Sequence, residues 1–149
     1  MEFCALFKLF GVLCLLADIS QNAGQNCIGI ERLIVHSLQH DTLLALLAER
    51  VRKLRLGSVL HSADGFISPV DCGAMISSDR FDDLERVIAE AVESGAQLEV
   101  GGSRWTHSYL EGGAYFSPTV IGNVHQGMDI AQRECEYTQI SVYSSLTSP

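Results

Sequence analysis

Basic residues are scarce in this chain: ten Lys and Arg stand against eighteen Asp and Glu, a net charge of −8. Phosphate backbones are gripped by clustered Lys and Arg, so nucleic acid is not an expected partner. The one basic cluster, Arg50, Arg52, Lys53 and Arg55, falls at the end of a predicted helix, where cations complement the dipole. Cysteine pairs are missing as well. Cys4, Cys14, Cys27, Cys72 and Cys135 contain no C-x-x-C, so neither a zinc site nor a redox dithiol is expected. Their odd count and the 47% apolar content argue against a disulfide scaffold and fit reduced thiols in a cytoplasmic compartment. The five histidines are dispersed; His36 and His40 straddle a predicted strand-to-helix boundary, and no metal site is expected. Repeats and low-complexity segments are absent. So is a long apolar run. Phe3 to Ala17, interrupted by Lys8, is shorter than the ~20 residues a membrane span needs. Glu2 precedes any basic residue, which makes a poor signal-peptide start. A buried helix, and a signal or anchor over residues 1–19, both remain open.

What is present is one domain's worth of globular chain, 149 residues with 19% charged. Glu31 to Ser37 has the β-branched core of a buried strand. Asp41 is the expected N-cap of a helix over 41–55, with Leu43, Leu44, Leu46, Leu47, Val51 and Leu54 on its apolar face and Gly57 as its stop. Residues 57–77 read as an irregular connection that includes the apolar stretch Ala74-Met75-Ile76. A second helix is expected over 80–94, capped by Asp79, with Phe81, Leu84, Val87, Ile88, Ala91 and Val92 on one face. Gly95 ends it and Ala96 to Val100 reads as a strand. Gly101-Gly102 and Gly112-Gly113 bracket a turn-rich stretch containing Trp105. A further strand is entered through Ser117-Pro118-Thr119-Val120. The polar tail from Tyr137 to Pro149 is expected to fray. Strands alternating with amphipathic helices predict an α/β layer packing.

The chemistry concentrates in the run Gln21-Asn22-Ala23-Gly24-Gln25-Asn26-Cys27-Ile28-Gly29-Ile30-Glu31-Arg32. A cysteine after a turn built on Gly24 can present its sulfur to a cleft. Cysteine is a strong nucleophile that already holds roughly a few per cent of thiolate near neutral pH. The Gly-Gln-x-Cys spelling with an arginine five residues on resembles the nucleophile segment of the aldehyde dehydrogenase superfamily. Further segments resemble that catalytic domain in the same order: Arg32-Leu33-Ile34-Val35-His36, Gly95-Ala96 with Gly101-Gly102, Pro118-Thr119-Val120, and Met128-Asp129-Ile130 followed by Glu134. Ordered coincidence of this kind is more specific than any single motif.

The resemblance implies a fragment of an aldehyde dehydrogenase-like catalytic domain, a Rossmann-like sheet with flanking helices, over about residues 21–135. Residues 1–20 form an apolar segment, and residues 136–149 a polar tail, outside the match. It implies Cys27 as catalytic nucleophile, adding to a small-molecule aldehyde as a thiohemiacetal, with the Cys27 N–H as one oxyanion donor. It implies Glu134 as a cofactor-binding residue that accepts the ribose hydroxyls of NAD or NADP, and a homo-oligomer in a full-length form. The family's general-base glutamate and oxyanion asparagine have no counterpart in residues 1–20, and no Gly-rich fingerprint precedes Cys27. The chain as written is therefore expected not to oxidise aldehydes alone. Two alternatives stand beside this reading: a relative kept for binding without catalysis, and a small membrane-anchored or secreted protein.

Overall fold

A computed structural model describes Gly11 and residues 21–27, 29–59, 69–106, 112–133 and 139–145, the last as backbone. The remainder of the apolar segment 1–20, Glu134, Cys135, His61 and His107 lie outside the described residues.

Strand β1 (Arg32–His36) follows the period-2 rule: Leu33 and Val35 are half-buried, whereas Ile34 is 80% exposed. Helix α1 (Ser37–Val51) starts at once, because the His36 side chain accepts the Leu38 N–H at 3.2 Å and serves as the cap. Asp41, the cap expected from sequence, is instead inside the helix and sits 2.8 Å from His40 Nδ1. The helix also ends ahead of Gly57. Asp71 accepts both the Arg55 N–H and its guanidinium, and the Arg55 carbonyl takes the N–H groups of Asp71 and Cys72. The chain at Arg55–Gly57 is thus drawn into a bridge with Asp71–Cys72 rather than a further helical turn.

Helix α2 (Phe81–Glu93) lies within a residue of its expected bounds at each end. Arg80, not Asp79, occupies the cap position, and no side chain caps it. Asp82 and Asp83 in the first turn complement the positive end of the dipole instead. Its buried face is Phe81, Leu84, Val87, Ile88 and Ala91. Val92, expected on that face, is 41% exposed. Gly95 closes the helix at φ +102°: its N–H bonds the Val92 carbonyl and the Ala96 N–H bonds the Ala91 carbonyl, the pattern of a Schellman stop.

Strand β2 (Gln97–Val100), strand β3 (Thr119–Gly122), the short helix α3 (Asp129–Gln132) and strand β4 (Gln139–Ser145) complete the described elements. The sheet order is β1-β4-β3-β2. β4 runs parallel to both neighbours and β2 antiparallel to β3. This corrects the expectation of a frayed tail. Residues 139–145 form an internal strand, with Arg32 opposite Ser141 on one side and Ile121 opposite Ser141 on the other. Ladders on two sides hold a polar sequence that could not order itself locally.

Alternation along β3 sorts the core. Val120 packs with Leu44, Leu47 and Val51 of α1. Its neighbour Ile121 packs with α2 and with Ile130 of α3. Helices therefore cover both faces of the sheet, as an α/β layering requires.

Candidate active site

The segment leading to Cys27 is a left-handed turn. Asn22 (φ 53°, ψ 35°) and Ala23 (φ 55°, ψ 34°) both lie in the left-handed region, followed by Gly24 at φ 77°. Asparagine and glycine visit that region readily; alanine does not. Tertiary burial explains its presence, since Ala23 is 4% exposed in a cluster with Met75, Phe81 and Phe116. Local bonds close the turn: Gln25 N–H to the Asn22 carbonyl at 3.1 Å, Asn26 N–H to the Gly24 carbonyl at 2.9 Å, and Gly29 N–H to the Asn26 carbonyl at 2.8 Å.

The turn leaves Cys27 exposed. Its side chain borders a cavity of about 520 Å³ to which Asn22, Gln25 and Asn26 contribute amides and the segment Ala74–Ile76 contributes apolar surface. Ile76 is 94% exposed, an unusual state for an isoleucine. No charged side chain among the described residues lines this space. Among the described residues no acceptor takes the Cys27 backbone N–H. Chemically, the described residues offer an accessible thiol, an N–H beside it that none of them accepts, and a wall that is part amide and part hydrocarbon.

Cys72 makes a useful contrast. It is 2% exposed, and burial, reinforced by the Asp71 charge, pushes its thiol up to about 11. A thiol so disfavoured as thiolate is inert near neutral pH.

Arg32 heads β1 and donates to the Arg133 carbonyl. The Arg133 guanidinium pairs in turn with Asp83 at 3.1 Å and Asp129 at 3.3 Å. The start of β1, helix α2 and helix α3 are thereby tied together at the residue before Glu134. Glu134 itself lies outside the described residues. Sequence reasoning missed the left-handed Ala23, the bridging role of Gln25 and the wall at Met75–Ile76. The one signal available was an apolar triplet, Ala74-Met75-Ile76, with no partner at helical or strand spacing. Among the described residues no helix is long and apolar enough to cross a membrane, and no three His, Cys, Asp or Glu side chains gather as a metal would need.

A model of the aldehyde dehydrogenase family matches residues 12–136, beginning ahead of the motif boundary at 21. An aldehyde dehydrogenase-like protein of Schizosaccharomyces pombe is 41% identical over 131 residues, 88% of this chain and 24% of its own length. A second aldehyde dehydrogenase-like protein, from Saccharomyces cerevisiae, is 46% identical over 116 residues, 76% of this chain and 17% of its own. In three dimensions the chain resembles betaine aldehyde dehydrogenase of Staphylococcus aureus, solved in complex with NAD+. The TM-score is 0.81 at 30% identity, covering 94% of this chain and 27% of that one. The chain spans about a quarter or less of the length of the curated relatives it matches.

Proposed function

Because this chain belongs to the aldehyde dehydrogenase family, we propose that it carries the nucleophile segment for NAD- or NADP-dependent oxidation of a small-molecule aldehyde to the acid. Cys27 is the nucleophile. The observation that carries this reading is the exposed Cys27 at a cavity, at the end of a left-handed turn, with its own N–H taken by no described acceptor.

The cysteine thiolate adds to the carbonyl carbon, a C–S bond forms, and the carbonyl electron pair moves to oxygen. The Cys27 N–H then faces a developing oxyanion, and a fixed donor of that kind typically contributes about 10²- to 10³-fold in rate. Bound NAD or NADP supplies the hydride acceptor. The amides of Asn22 and Asn26, beside the apolar segment Ala74–Ile76, would suit the carboxamide and the flat ring of nicotinamide, which is cationic in the oxidised cofactor. Loss of hydride from the tetrahedral carbon restores the carbonyl as a thioester. Hydrolysis of the thioester releases the acid and returns the thiol. Glu134 is assigned to the ribose hydroxyls, which a carboxylate accepts well. In this reading the full-length form is a cytoplasmic homo-oligomer acting on a small molecule rather than on nucleic acid. The acidic balance supports the exclusion of nucleic acid, and the absence of C-x-x-C pairs fits a reducing compartment.

Peptide-resolved alkylation of the chain tests the assignment. Cys27 should label at least roughly tenfold faster than Cys72, and a small aldehyde in excess should slow Cys27 alone. Equal rates, or no protection by aldehyde, would remove Cys27 from the role. In a full-length form, Cys27→Ala should abolish aldehyde oxidation.

A further inference from the structure

The cavity at Cys27 is built from two stretches far apart in sequence, and Gln25 bridges them. Its Oε1 accepts the Ile76 N–H at 2.9 Å, and its Nε2 donates to the Asn22 carbonyl at 3.0 Å. Asn22 answers with its own side chain, Nδ2 donating to the Gln25 carbonyl at 2.9 Å. A primary amide is the neutral group that can accept at one terminus while donating at the other. One side chain therefore fastens the left-handed turn internally and fastens the whole turn to the Met75–Ile76 wall.

From these contacts we propose that Gln25 is a positioning residue for Cys27, setting where the sulfur and the N–H lie relative to the cavity wall. The inference rests on Cys27 as nucleophile. Its physical basis is strain. Two non-glycine residues in the left-handed region persist when the surroundings over-determine them. Burial of Ala23 fixes the start of the turn. Beyond it, Gly24 is buried and local backbone bonds run on to Gly29, but Cys27 itself is exposed. The Gln25–Ile76 bond ties the end that carries Cys27 to the cavity wall. A displacement of about 1 Å at a reacting atom can cost on the order of 10²-fold in rate.

Three chains decide the matter: the unsubstituted protein, Gln25→Met and Gln25→Glu. Methionine keeps the length and removes both hydrogen bonds. Glutamate keeps the acceptor for Ile76 N–H and loses the donor to Asn22. Each is followed by hydrogen exchange at the Ile76 amide, and by alkylation of Cys27 as a function of pH with and without a small aldehyde. Far-UV circular dichroism checks that each folds. Gln25→Met should expose the Ile76 amide to exchange, slow Cys27 alkylation about tenfold and weaken aldehyde protection, with Cys72 unchanged. Gln25→Glu should restore the Ile76 protection and part of the aldehyde protection. If Ile76 exchanges faster in Gln25→Met while the Cys27 rate, pH profile and aldehyde protection stay as they were, Gln25 is a structural tie and the proposal is overturned. Absence of rescue by Gln25→Glu also overturns it. Should Cys27 of the unsubstituted chain show no selectivity and no aldehyde protection, the nucleophile reading falls first, and this inference falls with it.

Discussion

Ala23 is a residue whose two effects nearly cancel. Holding an alanine left-handed costs about 1–2 kcal/mol. Glycine would relieve that, but it would forfeit a buried methyl worth about 0.8 kcal/mol. Its freer unfolded backbone would cost roughly another 0.5–1 kcal/mol. Ala23→Gly should therefore sit within about 1 kcal/mol of the parent in urea unfolding. Ala23→Val adds a β-branched side chain in a region such residues avoid, inside a filled cluster, and should lose about 2–3 kcal/mol. Asp71 offers a titration at the same scale. The side-chain and backbone bonds from Arg55 lower its carboxyl from 3.8 to about 2. Its contribution is therefore present above pH 3.8 and is lost as pH falls towards 2. Asp71→Asn should lower stability at neutral pH and flatten the acid limb between those values. Stability curves of both proteins, measured from pH 6 to 2, check it. An unchanged slope would mean that the pair is too solvated to matter, as many exposed pairs are.

At the scale of elements, some boundaries were legible and others were not. Helix α2 was, because its apolar spacing is regular and Gly95 supplies the left-handed stop. Helix α1 was shifted, because a histidine cap is not read as one and Asp41 is a better sequence candidate than its position allows. Strand β4 was hidden by its serines. Ile140 and Val142 do alternate, and they stand at the register positions of Val120 and Leu33. Partner choice in a parallel sheet is set by distant strands and leaves little trace in a local window. The Gly101-Gly102 pair was noticed as a turn but not as a close approach. At Gly101, φ is +79°, and a Cβ would fall against the Pro118 carbonyl and 2.6 Å from Thr119 Oγ1. The next residue, Gly102, donates its N–H to that same hydroxyl at 2.9 Å. Gly101→Ala should pry β2 from β3 and cost about 2–4 kcal/mol, read as a lowered urea midpoint at unchanged slope. Gly112→Ala, with open space around its Cβ at φ +87°, should cost less. A reversal of that order would refute the close-approach argument.

For the whole molecule, β4 is the decisive piece. It lies between β1 and β3, so among the described strands it alone links the strand after Cys27 to the strand that both helical layers grip. A chain stopped after Thr138 should lose the cooperative thermal transition in far-UV circular dichroism and bind hydrophobic dyes. A sharp transition in that truncated chain would show that β1 and α1 dock without their ladder. The site itself was half legible. The cysteine and its turn were visible as spelling, whereas the cavity wall came from Met75 and Ile76, which reach Cys27 through folding rather than sequence proximity.

The internal place of β4 also has a consequence in time. Arg32 pairs with Ser141, so the strand that leads away from Cys27 is made long before its partner exists. At synthesis rates of about 5–20 residues per second, β1 and the Cys27 thiol ahead of it wait on the order of 5–20 s without the β4 ladder. During translation the nascent chain therefore presents an unpaired β-branched edge next to a free sulfhydryl. Chaperones, and oxidants, would meet that edge before any substrate does.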